Sequence, residues 1–197
     1  MERKTTSVIL AGVGGQGIVL ASKLIAQAAM DAGLFVRTAE TIGMAQRGGS
    51  VVSHLRMGGQ TASSLVPRGQ ADLILGFEPA EALRCLPYLK EGGILIAGAK
   101  GVYPVTASLG TADYEPERIN AYLAGLSQTT WLVDADRACR ELGSAKILNV
   151  LLLGAAAASG ALGLGLAELE AAIRVRVKPA FVEMNIRALR YGAELIE

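Results

Sequence analysis

The first segment of this chain constrains the fold more than any other. In it, an apolar run ends in a glycine-rich loop, and a helical pattern follows. Residues 7–11 form an apolar run, typical of a parallel strand buried on both faces. Residues 12–17 read Gly-Val-Gly-Gly-Gln-Gly, and residues 17–32 follow with a helical pattern whose polar positions fall four apart. Gly33 caps this helix, and residues 34–39 read as a second strand. The sequence therefore predicts a βαβ unit.

The segment that follows departs from the alternation of strands and helices. Residues 40–50 form a glycine-rich loop, and residues 51–57 have a strand-like pattern with no helical stretch before them. A parallel crossover needs about a dozen residues and usually a helix. The third strand is therefore not expected to be the product of a conventional right-handed crossover, and the sheet is predicted to be mixed.

The remaining chain continues as an α/β protein that ends in helices. Its patterns predict a turn at 90–93, strands at 72–77, 94–97, 102–106 and 130–133, and helices at 78–89, 116–126, 136–159, 166–177 and from Pro179 to about 196. In the last helix, Glu183 with Arg187 and Arg190 with Glu194 are spaced for i,i+4 pairs on a solvated face. We predict one α/β domain over residues 1–197, a three-layer Rossmann-like fold with a mostly parallel, mixed sheet and C-terminal helices.

Composition narrows the class of protein. Hydrophobic residues make up 51% of the chain, which suits a large core or an apolar surface for a partner. The 19 Lys and Arg residues nearly balance the 18 Asp and Glu residues, so charge gives no reason to expect nucleic acid or an anionic membrane as partner. The most apolar stretch, 147–158, falls short of the roughly 20 residues that span a bilayer, and the first residues do not resemble a signal peptide. We therefore expect a cytoplasmic protein.

Few side chains are available to bind a metal. The chain has two cysteines, Cys85 and Cys139, and one histidine, His54. An iron–sulfur cluster needs about four thiolates, and a zinc site needs a comparable set of ligands. We expect no metal or cluster to be bound by this chain alone, and we interpret the cysteines as buried thiols in helices.

The first glycine loop also fits a dinucleotide-binding fingerprint. It satisfies G-x-G-x-x-G between a strand and a helix, and Glu40 lies 23 residues beyond Gly17 (40 − 17), where a ribose-binding acid is expected. Against this, Gln16 places a bulky amide beside the helix start, and no downstream residue set suits hydride transfer. On this alternative interpretation, the glycines allow a tight turn, close strand–helix packing or a contact with another protein. A free-standing NAD(P)-binding oxidoreductase and a non-catalytic nucleotide-binding scaffold remain alternatives.

A second glycine-rich segment follows at residues 43–50, which read Gly-Met-Ala-Gln-Arg-Gly-Gly-Ser. Its backbone can approach another molecule closely, and Arg47 could bind a carboxylate or a phosphate. The alternative is a turn into the next strand that leaves Arg47 in solvent.

Together, these two segments resemble the gamma subunit of 2-oxoacid:ferredoxin oxidoreductases. The loop at 12–17 is paired with Met-Ala-Gln-Arg-Gly-Gly-Ser-Val at 44–51, and the pairing is more specific than a lone G-x-G-x-x-G. The Asp-Leu-Ile-Leu-Gly-Phe-Glu-Pro segment at 72–79, Asn149 and Asn185 extend the resemblance over nearly the whole chain. Within the family, the chain is most similar to the small subunit of indolepyruvate-type enzymes.

The resemblance implies an enzyme complex that oxidatively decarboxylates indolepyruvate, pyruvate or a related ketoacid to an acyl-CoA and passes electrons to ferredoxin. Thiamine diphosphate, magnesium, iron–sulfur clusters and coenzyme A are expected in the complex. The chain lacks a thiamine-binding pattern, so large alpha, and in some enzymes beta, subunits would carry these cofactors. The chain would be inactive alone, and a homodimer of the free chain is left open.

We expect no catalytic residue in this chain. The residues expected on loops that face the active site or the partner subunit are Gly14, Gly15, Gln16, Gly17, Gln46, Arg47, Gly48 and Gly49. Whether they contact substrate, coenzyme A or only the partner is left open by the pattern.

Overall fold

The computed structural model describes residues 5–42, 49–59, 63–103 and 113–196. The strands are β1 (Thr6–Val13), β2 (Phe35–Ile42), β3 (Ser50–Gly58), β4 (Ala71–Gly76), β5 (Leu89–Gly98) and β6 (Thr129–Val133). The α-helices are α1 (Ile18–Asp31), α2 (Pro79–Cys85), α3 (Pro116–Ala124), α4 (Asp136–Glu141), α5 (Leu148–Ala158), α6 (Leu166–Arg176) and α7 (Val182–Glu194). Short 3-10 turns span Leu86–Tyr88, Ala145–Ile147 and Pro179–Phe181.

The strands form a six-stranded mixed sheet in the order β2-β3-β1-β4-β5-β6. Strands β1, β4, β5 and β6 are parallel neighbours. β3 runs antiparallel to both of its neighbours, pairing Thr6 with Met57 on one side and Phe35 with Gly58 on the other. The expectation that β3 is not a crossover strand is confirmed, since β3 pairs antiparallel with β2, which precedes it in the chain and reaches Ile42.

Helices cover both faces of the sheet, as the alternation of side chains along β1 shows. Val8 and Leu10 are fully buried in the core formed with α1, α5, α6 and α7. Ile9 and Ala11 point to the opposite face and pack in the smaller core under α2 and α3. This arrangement confirms the predicted three-layer α/β fold.

On the larger face, α5 and α7 pack with almost no space between their backbones. A Cβ atom on Gly154 of α5 would overlap the carbonyl oxygen of Leu189, and one on Gly192 of α7 would overlap that of Leu151. The two glycines therefore permit a helix contact that any side chain would prevent. α5 has 11 residues and is almost entirely buried. The described part of the chain contains no helix long and apolar enough to cross a membrane.

Two predicted helices are shorter than expected. The helix expected at 136–159 is interrupted between α4 and α5, where Gly143 adopts a positive φ of 69° and the chain turns before Ser144. The helix expected at 78–89 ends at Cys85 and tightens into a 3-10 turn that contains Pro87. In both cases a residue that disfavours a continuous helix lies at the break.

The turn and strand expected on either side of β5 also differ from the structure. Residues 90–93 are not a separate turn, because β5 runs through them as a bulge between the Ala71–Leu89 and Leu73–Ile94 pairs. Residues 101–103 are not in a strand, and the rest of the strand expected at 102–106 lies outside the described residues.

The charged pairs expected along α7 are formed with α6 instead. Arg190 donates to both carboxylate oxygens of Glu170, at 2.6 and 2.9 Å, and Glu183 accepts from Arg174 at 3.0 Å. The i,i+4 prediction was therefore wrong, because periodicity within one helix does not show which helix lies beside it.

The environment of His54 in β3 predicts how the stability of the fold depends on pH. Its Nδ1 accepts a hydrogen bond from the Val66 N–H at 3.1 Å, its ring packs edge-on against Tyr88, and burial lowers its pKa. Because the unfolded chain binds a proton that the folded chain resists, the free energy of unfolding should fall as the pH drops below about 6.5. The slope from this one group has an upper limit of about 1.4 kcal/mol per pH unit.

Denaturant unfolding between pH 7.5 and 5 would measure this slope. His54→Asn retains an acceptor near the Val66 N–H without a titrating group, so its slope over this range should be much flatter. An unchanged slope would assign the pH dependence to other groups.

Candidate functional site

The glycine loop at 12–17 lies where the two central parallel strands end. Its first two residues end β1, whose carboxyl end lies beside that of β4. β1 is also the point at which the sheet changes direction, because antiparallel β3 flanks its other side. Open α/β sheets bind ligands at such points.

Gln16 closes the junction between β1 and β4 from within. Its Oε1 accepts a hydrogen bond from the Val13 N–H at 2.8 Å, and its Nε2 donates to the Phe77 carbonyl at 2.9 Å. The Phe77 N–H in turn donates to the Ala11 carbonyl at 2.7 Å. The Gln16 amide is thus used inside the chain, and its contribution to a ligand or partner would be the shape of the loop.

Gly17 and Asn149 join the same loop to α5. Gly17 precedes α1 with a φ of 81°, and a Cβ atom there would lie 2.5 Å from Asn149 Nδ2. Asn149 is buried, donates to the Gly17 carbonyl at 3.4 Å and accepts from the Val150 N–H at 2.9 Å. Both the positive φ and the close approach require glycine at position 17.

The two glycine-rich segments meet. The Gly14 N–H donates to the Gly49 carbonyl at 2.8 Å, which holds the first loop against the end of the second. Gly15 is exposed beside this contact, and a shallow depression of about 290 Å³ opens there between Gly14, Gly17 and Val51. Of the other predicted residues, Gln46, Arg47 and Gly48 lie outside the described residues.

A buried acidic cluster, Glu78 and Glu81, lies directly behind this contact and was not predicted from the sequence. Glu78 accepts from the Glu81 N–H at 2.9 Å and from the Tyr114 hydroxyl. Glu81 accepts from the Ser50 hydroxyl and from Arg84, each at 2.6 Å. The sequence carries a signal for the helix start only, because an acid before Pro79 with a second acid at the third helical position is typical of one.

Tyr114 donates a hydrogen bond to this cluster. Burial, followed by its hydrogen bond to Glu78, raises the pKa of the Tyr114 phenol well above its usual range. The phenol hydroxyl is the donor in this hydrogen bond. This contact joins the 113–116 segment to the start of α2.

The strand order disfavours a dinucleotide at the first glycine loop. In a dinucleotide-binding fold, the ribose-binding acid ends the strand beside β1. Here β3 occupies that place and pairs Glu40 of β2 with Ser53, so Glu40 lies one strand spacing, about 4.8 Å, farther from the loop. The Gln16 side chain also bridges β1 and β4, where a dinucleotide would cross.

The described side chains do not fit an iron–sulfur cluster or another metal. Cys85, the last residue of α2, is buried in the core on one face of the sheet, whereas Cys139 in α4 is only partly buried, contrary to the expectation, and packs against the core on the other face. Burial, the largest cause, raises the pKa of the Cys85 thiol to about 11, which disfavours the thiolate that a metal requires. Within the described ranges, no three or more His, Cys, Asp or Glu side chains are grouped to hold an ion.

A larger cleft of about 470 Å³ opens farther along the same edge of the sheet. It lies at the carboxyl ends of β5 and β6 and is lined mainly by apolar groups. Lys100 and Asp136 form an ion pair in its wall, with Nζ and Oδ1 3.0 Å apart, and Cys139 and Arg140 lie beside them. The carboxyl edge of the parallel strands therefore carries two separate depressions, one at the glycine loop and one at β5 and β6.

Comparison with known protein families assigns the chain to one of them. Residues 7–195 match the model of the pyruvate ferredoxin/flavodoxin oxidoreductase family. The chain belongs to this family. The resemblance seen in the two glycine-rich segments is thereby confirmed over almost the whole chain.

Individual members of the pyruvate ferredoxin/flavodoxin oxidoreductase family match along their full length. The chain is 37% identical to indolepyruvate oxidoreductase subunit IorB of Thermococcus kodakarensis, covering 97% of this chain and 96% of that protein. It is 39% identical to the subunit of the same name from Archaeoglobus fulgidus, covering 94% and 92%. Pyruvate oxidoreductase subunit PORC of Thermotoga maritima superposes with a TM-score of 0.73 at 25% identity, covering 98% and 97%. These matches support the interpretation as an oxidoreductase subunit and not the free-standing NAD(P) alternative.

Proposed function

We propose that this chain is the small subunit of a 2-oxoacid:ferredoxin oxidoreductase and that indolepyruvate is its substrate class. The observation that carries the proposal is the direct contact between the two glycine-rich segments, Gly14 N–H to Gly49 O, at the carboxyl edge of the central strands. The names of the IorB relatives support indolepyruvate as the 2-oxoacid. Residues 1–197 would act as one gamma-type domain.

In this proposal, thiamine diphosphate with magnesium and the iron–sulfur clusters are carried by partner subunits. When bound there, thiamine diphosphate supplies the carbanion chemistry of decarboxylation. The described residues of this chain offer no ligand set for these groups, so its own part is to shape the surface that covers them. A ferredoxin acceptor and a cytoplasmic location belong to the same proposal.

The contribution of this chain is a rigid backbone surface. Internal hydrogen bonds satisfy the Gln16 amide and the Gly14 N–H, so the loop keeps its shape before a partner binds. Preorganisation of this kind lowers the cost of association and of substrate positioning. Arg47, on the second segment, would then supply the positive charge for a carboxylate or phosphate of the substrate or coenzyme A.

Anaerobic co-purification tests the proposal. The tagged chain, expressed together with its large partner subunit, should recover that subunit with thiamine diphosphate and iron, and the complex should reduce ferredoxin with indolepyruvate and coenzyme A. Pyruvate and 2-oxoglutarate serve as competing substrates. Recovery of the chain alone, without either cofactor, would refute the subunit assignment.

Arg47→Ala tests the second segment. We expect the kcat/KM of the assembled complex to fall by about tenfold or more, because a charge-assisted contact is lost. The free energy of unfolding of the isolated chain should stay within about 0.5 kcal/mol of the wild type. Arg68→Ala, at an exposed position, is the matched control. Full activity of the Arg47→Ala complex would exclude this role.

A further inference from the structure

The acidic cluster contains one buried carboxylate that helix capping does not explain. Glu78 and Glu81 are only 2% and 5% exposed. Burial of a carboxylate is costly unless hydrogen bonds or opposite charges compensate for it. Glu78 has an evident use, because its side chain caps the first turn of α2 and accepts from Tyr114. α2 is therefore capped without the carboxylate of Glu81.

The Glu81 side chain points away from its own helix start and toward β3. Its Oε2 accepts from the hydroxyl of Ser50, the first residue of β3, at 2.6 Å. Its Oε1 accepts from Arg84 at 2.6 Å, but the Arg84 side chain is 68% exposed. Arg84 lies one turn along the same helix, so this ion pair does not connect α2 to another element, whereas Ser50 connects the carboxylate to β3.

Ser50 connects Glu81 to the contact between the glycine-rich segments. It directly follows Gly49, whose carbonyl accepts from the Gly14 N–H at 2.8 Å. Ser50 is also paired with Val13 in the β1–β3 ladder, so its position determines where both segments lie. A continuous path of contacts thus runs from the buried carboxylate through Ser50 and Gly49 to Gly14.

We infer that Glu81 is a positioning residue: through Ser50 it fixes the Gly14–Gly49 contact on the surface that faces the partner subunit. The inference rests on the proposed function for the identity of that surface. The position of the Gly14–Gly49 contact itself depends only on the fold, so two separate measurements test the two parts.

Amide hydrogen exchange at Gly14 in the isolated full chain tests the structural part. Ser50→Ala, at a solvent-exposed position, removes the hydrogen bond from the Ser50 hydroxyl to Glu81. Glu81→Gln removes the charge of the carboxylate. Both should accelerate Gly14 exchange by roughly tenfold, because a charge-assisted hydrogen bond that holds the acceptor strand is lost. Glu170→Gln, which breaks the Glu170–Arg190 pair on the opposite face, should leave Gly14 exchange unchanged. Unchanged exchange in both Ser50→Ala and Glu81→Gln would overturn the inference.

Kinetics of the assembled complex test the functional part. Ser50→Ala and Glu81→Gln should lower kcat/KM by a similar factor, about tenfold, and the double variant should be no worse than either single variant. Additive losses, or full activity in both single variants beside an active wild type, would overturn the positioning role and leave the proposed function intact. Failure of the wild-type chain to assemble would overturn the proposed function and this functional part together, whereas Gly14 exchange would still decide the structural part.

Discussion

Alanine at Gly154 is expected to lower the free energy of unfolding by about 3 kcal/mol, because the new methyl group has no space at the α5–α7 contact. It would overlap the backbone carbonyl of Leu189, which cannot rotate away as a side chain could. The helices would have to separate, and both lie in the main core.

Chemical denaturation of the isolated chain measures this loss. Gly125→Ala is the matched control, since the nearest atoms to its new methyl group, the carbonyl oxygens of Ala121 and Tyr122, lie at an ordinary 3.5 Å. That variant should stay within about 0.5 kcal/mol of the wild type. A Gly154→Ala chain as stable as the control would show that the helices are packed less closely than described.

The second large effect is expected from Gln16→Ala. The substitution leaves the Val13 N–H and the Phe77 carbonyl without their partner at the end of β1 and β4. The free energy of unfolding should fall by about 2 kcal/mol. The kcat/KM of the assembled complex should fall by roughly 100-fold, because displacement of a positioning loop by about 1 Å has effects of this size.

Gln27→Ala is the control for Gln16→Ala, because Gln27 lies in α1, and its hydrogen bonds to Asp31 and Arg176 are solvent-exposed. It should change stability by no more than about 0.5 kcal/mol. Equal effects of the two substitutions on activity would exclude a specific role for the Gln16 amide.

Much of the fold could be predicted because strands and most helices leave a local period in the sequence. The mixed sheet was predicted from the length of one connecting segment, since the loop predicted at residues 40–50 is too short for a parallel crossover. The position of β3 between β2 and β1 was not predicted, because strand order depends on contacts distant in sequence. Helix breaks at Gly143 and Pro87 were overlooked because apolar patterns continue across them.

The candidate site was only partly predictable. The sequence identified the two glycine-rich segments, and the structure joins them through Gly14 and Gly49. The sequence did not show that the Gln16 amide forms its hydrogen bonds within the chain, because a pattern of residues does not give the direction of a side chain. It also gave no indication that Glu81 is buried, since an acid early in a helix is usually solvated.

The insertion of β3 determines when this sheet can first form during synthesis. Among the described strands, neither β1 nor β2 has a partner until residues 50–58 have been made, since β2 pairs with β3 and β1 pairs with β3 and β4. The strand–helix–strand segment that opens the chain is therefore not an independent folding unit. During synthesis, the apolar β1 therefore remains without a strand partner until β3 has been made.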